Sequence, residues 1–477
     1  MDELLTISAS RMAEMIRKGE ISSRQAVEAH IAHIEKVNPP LNAVVAKRYD
    51  EARSEADRAD ALLKEMGPEN LPPFHGVPCS IKENFALTGM PNASGLVARK
   101  GIVSRSDAPC VERLRKAGAI PMGVTNTSEL CMWMESNNKV YGRTGSAYDP
   151  KRTCGGSSGG EGSIIGAGGS PFGLGSDIGG SIRMPCFFNG IFGHKPTAGL
   201  IPNTGQIPLA EKGVSGTCTT GPLCRRAEDL WPLIKILAGP DGIDPGCVEI
   251  PLGDPSAVKI SELKVTSVPE NGRAAVDPEL GAAQAKAAAA LARLGCDFTE
   301  KRVERLKKSF PIWTAKVSVK GTTPFGTLLG NGKPINPAKE LALYALGKSA
   351  HTLPALALAA VEKIPVPVAR WLKEGDLLRE ELTSLIGKNG VMLFPSYSQP
   401  APKHNAPLFH FDHWLYTGII NAMGFPSTQV PLGLSKNGLP LGVQVISLPG
   451  NDHVTVAVAL ELERIFGGWV PPWTAKK

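Results

Sequence analysis

Residues Gly155 to Gly199 read GGSSGGEGSIIGAGGSPFGLGSDIGGSIRMPCFFNGIFGHKPTAG, with serines placed singly among many glycines. Glycine adopts backbone angles that other residues resist, and it lets a chain segment approach its neighbours closely. This composition indicates a site that is built from backbone as well as from side chains.

Nucleotide-binding motifs do not fit this stretch. A P-loop needs a lysine at the position that His194 holds. Gly173 and Gly175 begin a dinucleotide-binding motif, but Ile178 takes the place of its third glycine. The glycines therefore indicate another kind of site.

The stretch offers two serine sites. Gly155–Gly159 fits the G-x-S-x-G motif of α/β-hydrolases, but residues 148–152 before it predict a turn where that motif needs a strand. At the second site, Gly179 and Gly180 allow successive N–H groups to point the same way, as an oxyanion hole requires. Ser181, which follows them, is the candidate nucleophile. The alternative is a tight turn in which Ser181 only caps the next helix.

A serine nucleophile needs a base to take its proton. None of the nine histidines stands in a catalytic context, and four are predicted to be surface or packing residues: His75, His194, His410 and His413. Lys82 is the better candidate because it follows an apolar, strand-like run, where burial would lower its pKa. The alternative role for Lys82 is an ion pair with Glu83 or Glu161.

Three motifs in register carry a resemblance. Lys82 in GVPCSIKENF, Ser157 in GGSSGGEG and Ser181 in GSDIGGSIRMP resemble the amidase signature family, and GIFGHKPTAG and TTGPLCRRAEDL continue the likeness. Over about residues 1–240 and 385–477 the amino-acid sequence is similar to that of the fatty acid amide hydrolases of the second vertebrate type. Between them, residues 259–387 offer little to match.

The resemblance implies an α/β fold, the amidase signature fold, with a mixed twisted β-sheet covered by helices on both faces. It also implies a Ser-cisSer-Lys triad: Ser181 is the acylated nucleophile, Lys82 the base, and Ser157, preceded by a cis peptide bond, the proton shuttle. The implied oxyanion donors are the N–H groups of Ile178, Gly179, Gly180 and Ser181. The implied supporting residues are Ser158, Ser176, Asp177 and Arg183, with a buried charge contact between the last two.

Two apolar segments are candidates for the substrate pocket. Cys131, Met132, Trp133 and Met134 would line an acyl pocket or belong to ordinary core. His351–Leu372 is apolar but interrupted by prolines and charges, so it cannot span a membrane. It is predicted to form a pocket wall or core in preference to an amphipathic membrane contact.

Composition limits the function classes. The 477 residues carry a net charge of +7 that is not gathered into runs, which argues against nucleic-acid binding. Nine cysteines without a C-x-x-C pair favour free thiols in a reducing compartment, so we expect a cytoplasmic protein with no metal and no cofactor. The acidic amino terminus lacks a signal sequence, and no apolar run is long enough to span a membrane, unlike the vertebrate fatty acid amide hydrolases. Peripheral membrane contact and a homodimer stay open.

Local patterns predict the elements. A capping box at Ser22–Gln25 starts a helix, and further helices are expected at 54–66, 230–237, 278–294 and 454–466. A strand should run into Lys82, a helix-to-strand unit should cover 108–125, and strands are expected at 391–394 and 441–446. We expect a single domain, residues 1–477, with amino-terminal helices (1–66), a catalytic core (67–240), a variable pocket region (259–387) and a return to the core (388–477).

These observations lead to one expected function with alternatives. The chain is expected to be a serine hydrolase that cleaves the C–N bond of hydrophobic or fatty acyl amides through an acyl-enzyme on Ser181. An aryl acylamidase or a urethanase would use the same chemistry. A glutamine amidotransferase subunit would need a polar site, which the Met132–Met134 run does not favour. A non-catalytic binding protein is disfavoured because all three catalytic positions are filled.

Overall fold

The computed structural model describes residues 3–210, 216–318, 322–410 and 412–475. Its strands, numbered in chain order, are β1 (Val44–Lys47), β2 (Pro78–Lys82), β3 (Ile120–Thr125), β4 (Asn137–Asn138), β5 (Gly142–Arg143), β6 (Phe172–Asp177), β7 (Phe192–Lys195), β8 (Thr219–Cys224), β9 (Lys264–Ser267), β10 (Asp297–Glu300), β11 (Gly390–Phe394), β12 (Ser427–Leu434) and β13 (Pro440–Ile446).

Eleven of these strands form one mixed sheet, in the order β1-β3-β2-β6-β8-β7-β12-β13-β11-β9-β10. Strands β3, β2 and β6 are parallel neighbours, and β11, β9 and β10 form a second parallel group. The remaining neighbours pair antiparallel. Strands from the amino-terminal, middle and carboxyl-terminal parts of the chain join this one sheet, and the single domain expected from the sequence stays a prediction.

Helices are packed around the sheet: α1 (Ala9–Arg17), α2 (Ser23–Leu41), α3 (Tyr49–Met66), α4 (Pro109–Lys116), α5 (Gly159–Gly166), α6 (Arg183–Phe188), α7 (Leu230–Leu237), α8 (Pro278–Arg293), α9 (Ser309–Val317), α10 (Phe325–Leu329), α11 (Pro337–Ala345), α12 (Leu353–Val361), α13 (Val368–Ile386), α14 (Leu415–Met423) and α15 (Asp452–Phe466). Within the described ranges, no helix is both long and apolar enough to cross a membrane.

Strand β6 illustrates how both faces of the sheet are covered. Phe172 and Leu174 point into the large apolar core that also holds residues of α1, α4, α7, α8 and α15. Alternate residues of a strand face opposite sides, so Gly173 faces α5 instead. A methyl group on Gly173 would lie 1.8 Å from the Glu161 carboxylate of α5, which is why only glycine fits there. The expected α/β fold, with a mixed sheet between helices, is confirmed.

Several local predictions hold. The capping box of α2 is complete, because Ser22 accepts from the Gln25 N–H and the Gln25 side chain accepts from the Ser22 N–H. Asp277 caps α8, and α7 spans the predicted residues. The strand ending at Lys82 and the α4–β3 unit are present, and β11, β13 and α15 begin one or two residues earlier than predicted.

Two parts differ from expectation. Helix α3 begins at Tyr49, five residues before the predicted start, and Asp50 and Glu51 in its first turn complement the helix dipole. Residues 259–387 were expected to be a variable pocket region, but they also supply strands β9 and β10 at one edge of the sheet. Part of that region is therefore structural framework.

Candidate active site

The parallel strands bring the candidate residues to one edge of the sheet. Lys82 ends β2, Thr125 ends β3 and Asp177 ends β6. Lys82 pairs in register with Thr125, and Ile81 pairs with Leu174. Because these strands run in the same direction, their carboxyl ends and the loops that follow lie side by side, where open α/β sheets commonly bind ligands.

Lys82 and Ser157 are in direct contact inside the protein. Lys82 Nζ donates to Ser157 Oγ at 2.7 Å and to Ser176 Oγ at 3.0 Å, and all three side chains are buried. The peptide bond between Gly156 and Ser157 is cis. Ser158, predicted to support the site, donates its hydroxyl to the Ser176 carbonyl oxygen at 3.2 Å.

Lys82 is held without a carboxylate partner among the described residues. Glu83 accepts from the N–H groups of Ala93 and Ser94, while Glu161 accepts from the hydroxyls of Ser80 and Thr125. The alternative of an ion pair with either glutamate is therefore wrong.

Burial sets the ionisation of this group. The pKa of Lys82 is lowered because its ammonium group is removed from water, an effect that the neighbouring Cys131 partly opposes. Burial also raises the pKa of Glu83 and of Glu161 to about 7, against the hydrogen bonds that they accept. A neutral lysine hydrogen-bonded to a serine can act as a base.

Ser181 lies in the loop that follows β6. Its hydroxyl forms no hydrogen bond with any described residue, and the residue is almost fully buried. The Ser158 N–H donates to the Ser181 carbonyl oxygen at 3.2 Å, so the two serine segments are adjacent. Helix α6 has no side-chain cap, and its N-cap residue is Ile182, so Ser181 is not the helix cap of the alternative interpretation.

The predicted oxyanion donors are not equivalent. The Gly180 N–H donates to Asp177 Oδ1 at 2.6 Å and is therefore already used. Within the described chain, the N–H groups of Ile178, Gly179 and Ser181 have no acceptor. Gly180 itself has φ +119°, and a methyl group there would lie 2.0 Å from Thr417 Oγ1, which accounts for glycine at this position.

Asp177 and Arg183 form the predicted buried charge contact. Arg183 Nε donates to Asp177 Oδ2 at 3.1 Å, and neither side chain is exposed. Burial alone would raise the pKa of Asp177, but the charge and hydrogen bonds of Arg183 bring it well below the usual range. Asn421 donates to Asp177 as well, and Arg183 also donates to Gln444, at 2.8 Å.

The candidate pocket segments meet next to this site. Within the run 131–134, Met134 is buried in the main core and Trp133 packs against it, while Met132 packs beside Leu130 in a separate apolar cluster. Helices α10 and α12 complete that cluster. Within residues 351–372, α12 thus packs as core beside Leu130 and Met132, and the role of a pocket wall stays a prediction.

The four histidines are surface or packing residues, and His410 is exposed. His194 is fully buried between Thr428 and Asp452, His75 contacts the Ala59 carbonyl oxygen, and His410 stacks on His413.

No sequence motif could have found four residues around the loop 178–182, which we call the nucleophile loop. They are Trp313, Thr417, Asn421 and Gln444. Trp313 donates to the Ile178 carbonyl oxygen at 2.9 Å, and Thr417 donates to that of Gly179 at 2.9 Å. In the described residues, no group of three or more His, Cys, Asp or Glu side chains could hold a metal ion.

Comparisons with known proteins agree with the fold and the motifs. A family profile described as Amidase matches residues 25–456. Fatty-acid amide hydrolase 2-B of Danio rerio is 48% identical, covering 98% of this chain and 91% of that protein. Fatty-acid amide hydrolase 2 of Homo sapiens is 44% identical, with coverages of 99% and 91%. These alignments include residues 259–387, where the sequence alone offered little to match.

A solved structure of 6-aminohexanoate cyclic dimer hydrolase complexed with substrate superposes with a TM-score of 0.78, 28% identity and 97% coverage of both chains. Fold and sequence together define an amide-hydrolysing enzyme. The chain belongs to the amidase family, the amidase signature enzymes that its three motifs resemble.

Arg183→Met should destabilise the protein strongly. Removing one partner of a buried pair leaves the other charge uncompensated, at a cost of about 3–5 kcal/mol in the free energy of unfolding at pH 7. In the wild type, the paired Asp177 carboxylate contributes stability above its unfolded pKa of about 3.9, and this contribution is lost as the pH falls. In the variant the carboxyl instead has a raised pKa, so the deficit should shrink on acidification. Denaturant unfolding from pH 4 to 8 measures this.

Arg11→Met is the matched control, because Arg11 forms its ion pairs with Glu14 and Glu20 on an exposed helix face. Its unfolding midpoint should change little, since exposed pairs are screened by solvent. Equal losses in both variants would contradict the importance of the buried pair.

Proposed function

We propose that this enzyme hydrolyses hydrophobic acyl amides through an acyl-enzyme formed on Ser181. The observation that carries the proposal is the buried hydrogen bond of 2.7 Å between Lys82 Nζ and Ser157 Oγ. The adjacent segment holds Ser181, whose hydroxyl has no hydrogen-bond partner among the described residues. This arrangement supplies a base, a proton carrier and a nucleophile without a histidine.

Acylation begins when the Ser181 oxygen attacks the amide carbonyl. The Ser181 proton passes to Ser157 Oγ, and the Ser157 proton passes to the neutral Lys82 amine. The return of a proton through Ser157 to the amide nitrogen accompanies C–N cleavage, because an amine leaves poorly as an anion. Water then attacks the Ser181 ester by the same proton route, releasing the carboxylic acid and restoring the enzyme.

Backbone N–H groups stabilise the tetrahedral oxyanion. Ile178, Gly179 and Ser181 have N–H groups without another acceptor in the described chain, whereas the Gly180 N–H is held by Asp177. We assign the oxyanion hole to the first three. Losing one such donor commonly costs about 3–4 kcal/mol of transition-state stabilisation.

The apolar cluster beside the loop at 131–134 supports a hydrophobic acyl group as substrate. In that cluster, Leu96, Leu130 and Met132 pack against apolar residues of α10 and α12. Two relatives that align over nearly the full chain carry the name fatty-acid amide hydrolase 2. Carbamates and aryl amides present the same kind of carbonyl to Ser181.

We propose a cytoplasmic location. All nine cysteines are free and most are buried, which suits a reducing compartment. The expectations of peripheral membrane contact and of a homodimer stay predictions.

Ser181→Ala should abolish turnover of an acyl p-nitroanilide and remove the acyl adduct that mass spectrometry detects on quenched wild-type enzyme. Ser163→Ala is the control: Ser163 belongs to the same glycine-rich stretch but only donates to the Gly145 carbonyl oxygen. That variant should retain activity. Full activity in Ser181→Ala would overturn the mechanism.

The pH profile should depend on Lys82. Only the neutral amine accepts a proton, so kcat/KM should rise with pH, with a midpoint below the usual lysine pKa of about 10.4 because burial lowers it. Lys82→Ala should lose this rise and about 10²–10⁴-fold in rate at neutral pH. Lys235→Ala, at an exposed position of α7, should keep the wild-type profile. An unchanged profile in Lys82→Ala would exclude Lys82 as the base.

Acyl chain length tests the substrate class. For acyl p-nitroanilides from acetyl to palmitoyl, kcat/KM should climb with length, by up to about 0.8 kcal/mol of binding per buried CH₂. Ser181→Ala serves as the blank throughout. A maximum at short acyl groups would refute the lipid-amide assignment and direct attention to aryl amides and carbamates.

A further inference from the structure

The carbonyl oxygens of Ile178, Gly179 and Gly180 in the nucleophile loop each accept a hydrogen bond from another part of the chain. The Thr417 hydroxyl donates to the Gly179 carbonyl oxygen at 2.9 Å, and the Met184 N–H donates to that of Gly180 at 2.8 Å. Both donors come from segments next to the site, α14 and α6. The loop is thus fixed through its carbonyl groups, while the N–H groups of Ile178, Gly179 and Ser181 have no acceptor among the described residues.

The remaining carbonyl, that of Ile178, is held by a more remote part of the chain. The indole Nε1–H of Trp313 donates to it at 2.9 Å, across 135 positions of sequence. Trp313 lies in α9, within residues 259–387. Residues 259–387 therefore contact the nucleophile loop as well as the apolar cluster beside Met132.

Because the peptide unit is planar, the hydrogen bond to the Ile178 carbonyl also sets the direction of the next N–H group. The Ile178 carbonyl and the Gly179 N–H belong to one peptide unit, which is planar, and in a trans peptide they point in opposite directions. The peptide bonds of this loop are trans. Fixing the carbonyl with Trp313 therefore fixes the direction of the Gly179 N–H, which has no acceptor of its own among the described residues.

The position of the Trp313 indole is set by a contact with a second aromatic ring. The indole packs edge-to-face against Trp414, with ring centroids 4.7 Å apart at 80°. Both rings lie against Gly179: a methyl group there would approach Trp414 Cζ3 to 3.1 Å and Trp313 Cζ2 to 3.7 Å. The donor is therefore located by an aromatic contact, and a side chain at position 179 would lie tightly against Trp414.

We propose that Trp313 is a positioning residue for the oxyanion hole: its hydrogen bond to the Ile178 carbonyl aims the Gly179 N–H at the developing oxyanion. The inference rests on the proposed function, since it requires a tetrahedral intermediate on Ser181. It makes residues 259–387 contribute to the chemical step in addition to substrate binding.

Trp313→Phe tests this, because phenylalanine keeps an aromatic ring but has no N–H. For a short acyl p-nitroanilide we expect kcat to fall about tenfold or more, with KM changed less than about threefold, since the donor is misdirected and not removed. A second readout uses an alkyl trifluoromethyl ketone, to which serine adds to give a tetrahedral oxyanion, and the matching secondary alcohol, which forms none. The ketone should lose affinity by about the factor lost in kcat, and the alcohol should not.

Trp371→Phe is the matched control. Trp371 lies in α13 and packs in the same apolar cluster as Ile312 of α9, but in the described chain its indole N–H donates no hydrogen bond to the nucleophile loop. This variant should keep most of kcat and the ketone-to-alcohol affinity ratio. Unfolding midpoints of both variants show whether the fold is retained.

The inference is overturned if Trp313→Phe lowers ketone and alcohol affinities equally, or if it behaves as Trp371→Phe does. A variant that unfolds is replaced by Trp313→His, which can restore an N–H donor and should recover part of the ketone-to-alcohol ratio. Lack of recovery in the folded protein counts against the proposal. If the wild type binds the ketone no better than Ser181→Ala does, the proposed function fails instead.

Discussion

The buried charge pair between Asp177 and Arg183 is the interaction on which the site depends. Asp177 ends a central strand and accepts the N–H groups of Gly180 and Ile182, so its carboxylate bends the chain into the nucleophile loop. Arg183 compensates that charge and extends the network to Asn421 on helix α14 and to Gln444 on strand β13. An unpaired carboxylate at this depth would cost several kcal/mol, so loop shape and global stability are coupled.

A second constraint concerns the charge on Lys82. A lysine acts as a base only when neutral, and full burial favours that state. A carboxylate partner would reverse the effect, yet Glu83 and Glu161 are both nearby in sequence or space. Each is instead satisfied by hydroxyl or backbone donors, so the polar network below the site separates the glutamates from the amine. The surrounding hydrogen bonds thereby help to keep the amine neutral, as the proposed chemistry needs.

Residues 259–387 combine three tasks that the sequence does not separate. They add β9 and β10 to the sheet, place α10 and α12 against the apolar cluster near Met132, and bring Trp313 to the nucleophile loop. Since the cluster proposed to bind the acyl group and the contact with the nucleophile loop share this region, we expect that a change in the cluster can also alter the chemical step through α9.

The sequence by itself determined the motifs, the candidate triad and the local elements whose signals lie within a few residues, such as the capping box of α2 and the Asp277 cap of α8. The family resemblance of those motifs also implied that Asp177 and Arg183 are partners, and the two residues are in contact in the structure. Only the tertiary structure decided which carbonyl each remote donor holds, that the Gly180 N–H is already used, and that Trp313 and Thr417 belong to the site. The reason is physical: caps and periodicity act between neighbours along the chain, whereas contacts across 135 or 238 positions form only when the whole sheet and its helices pack.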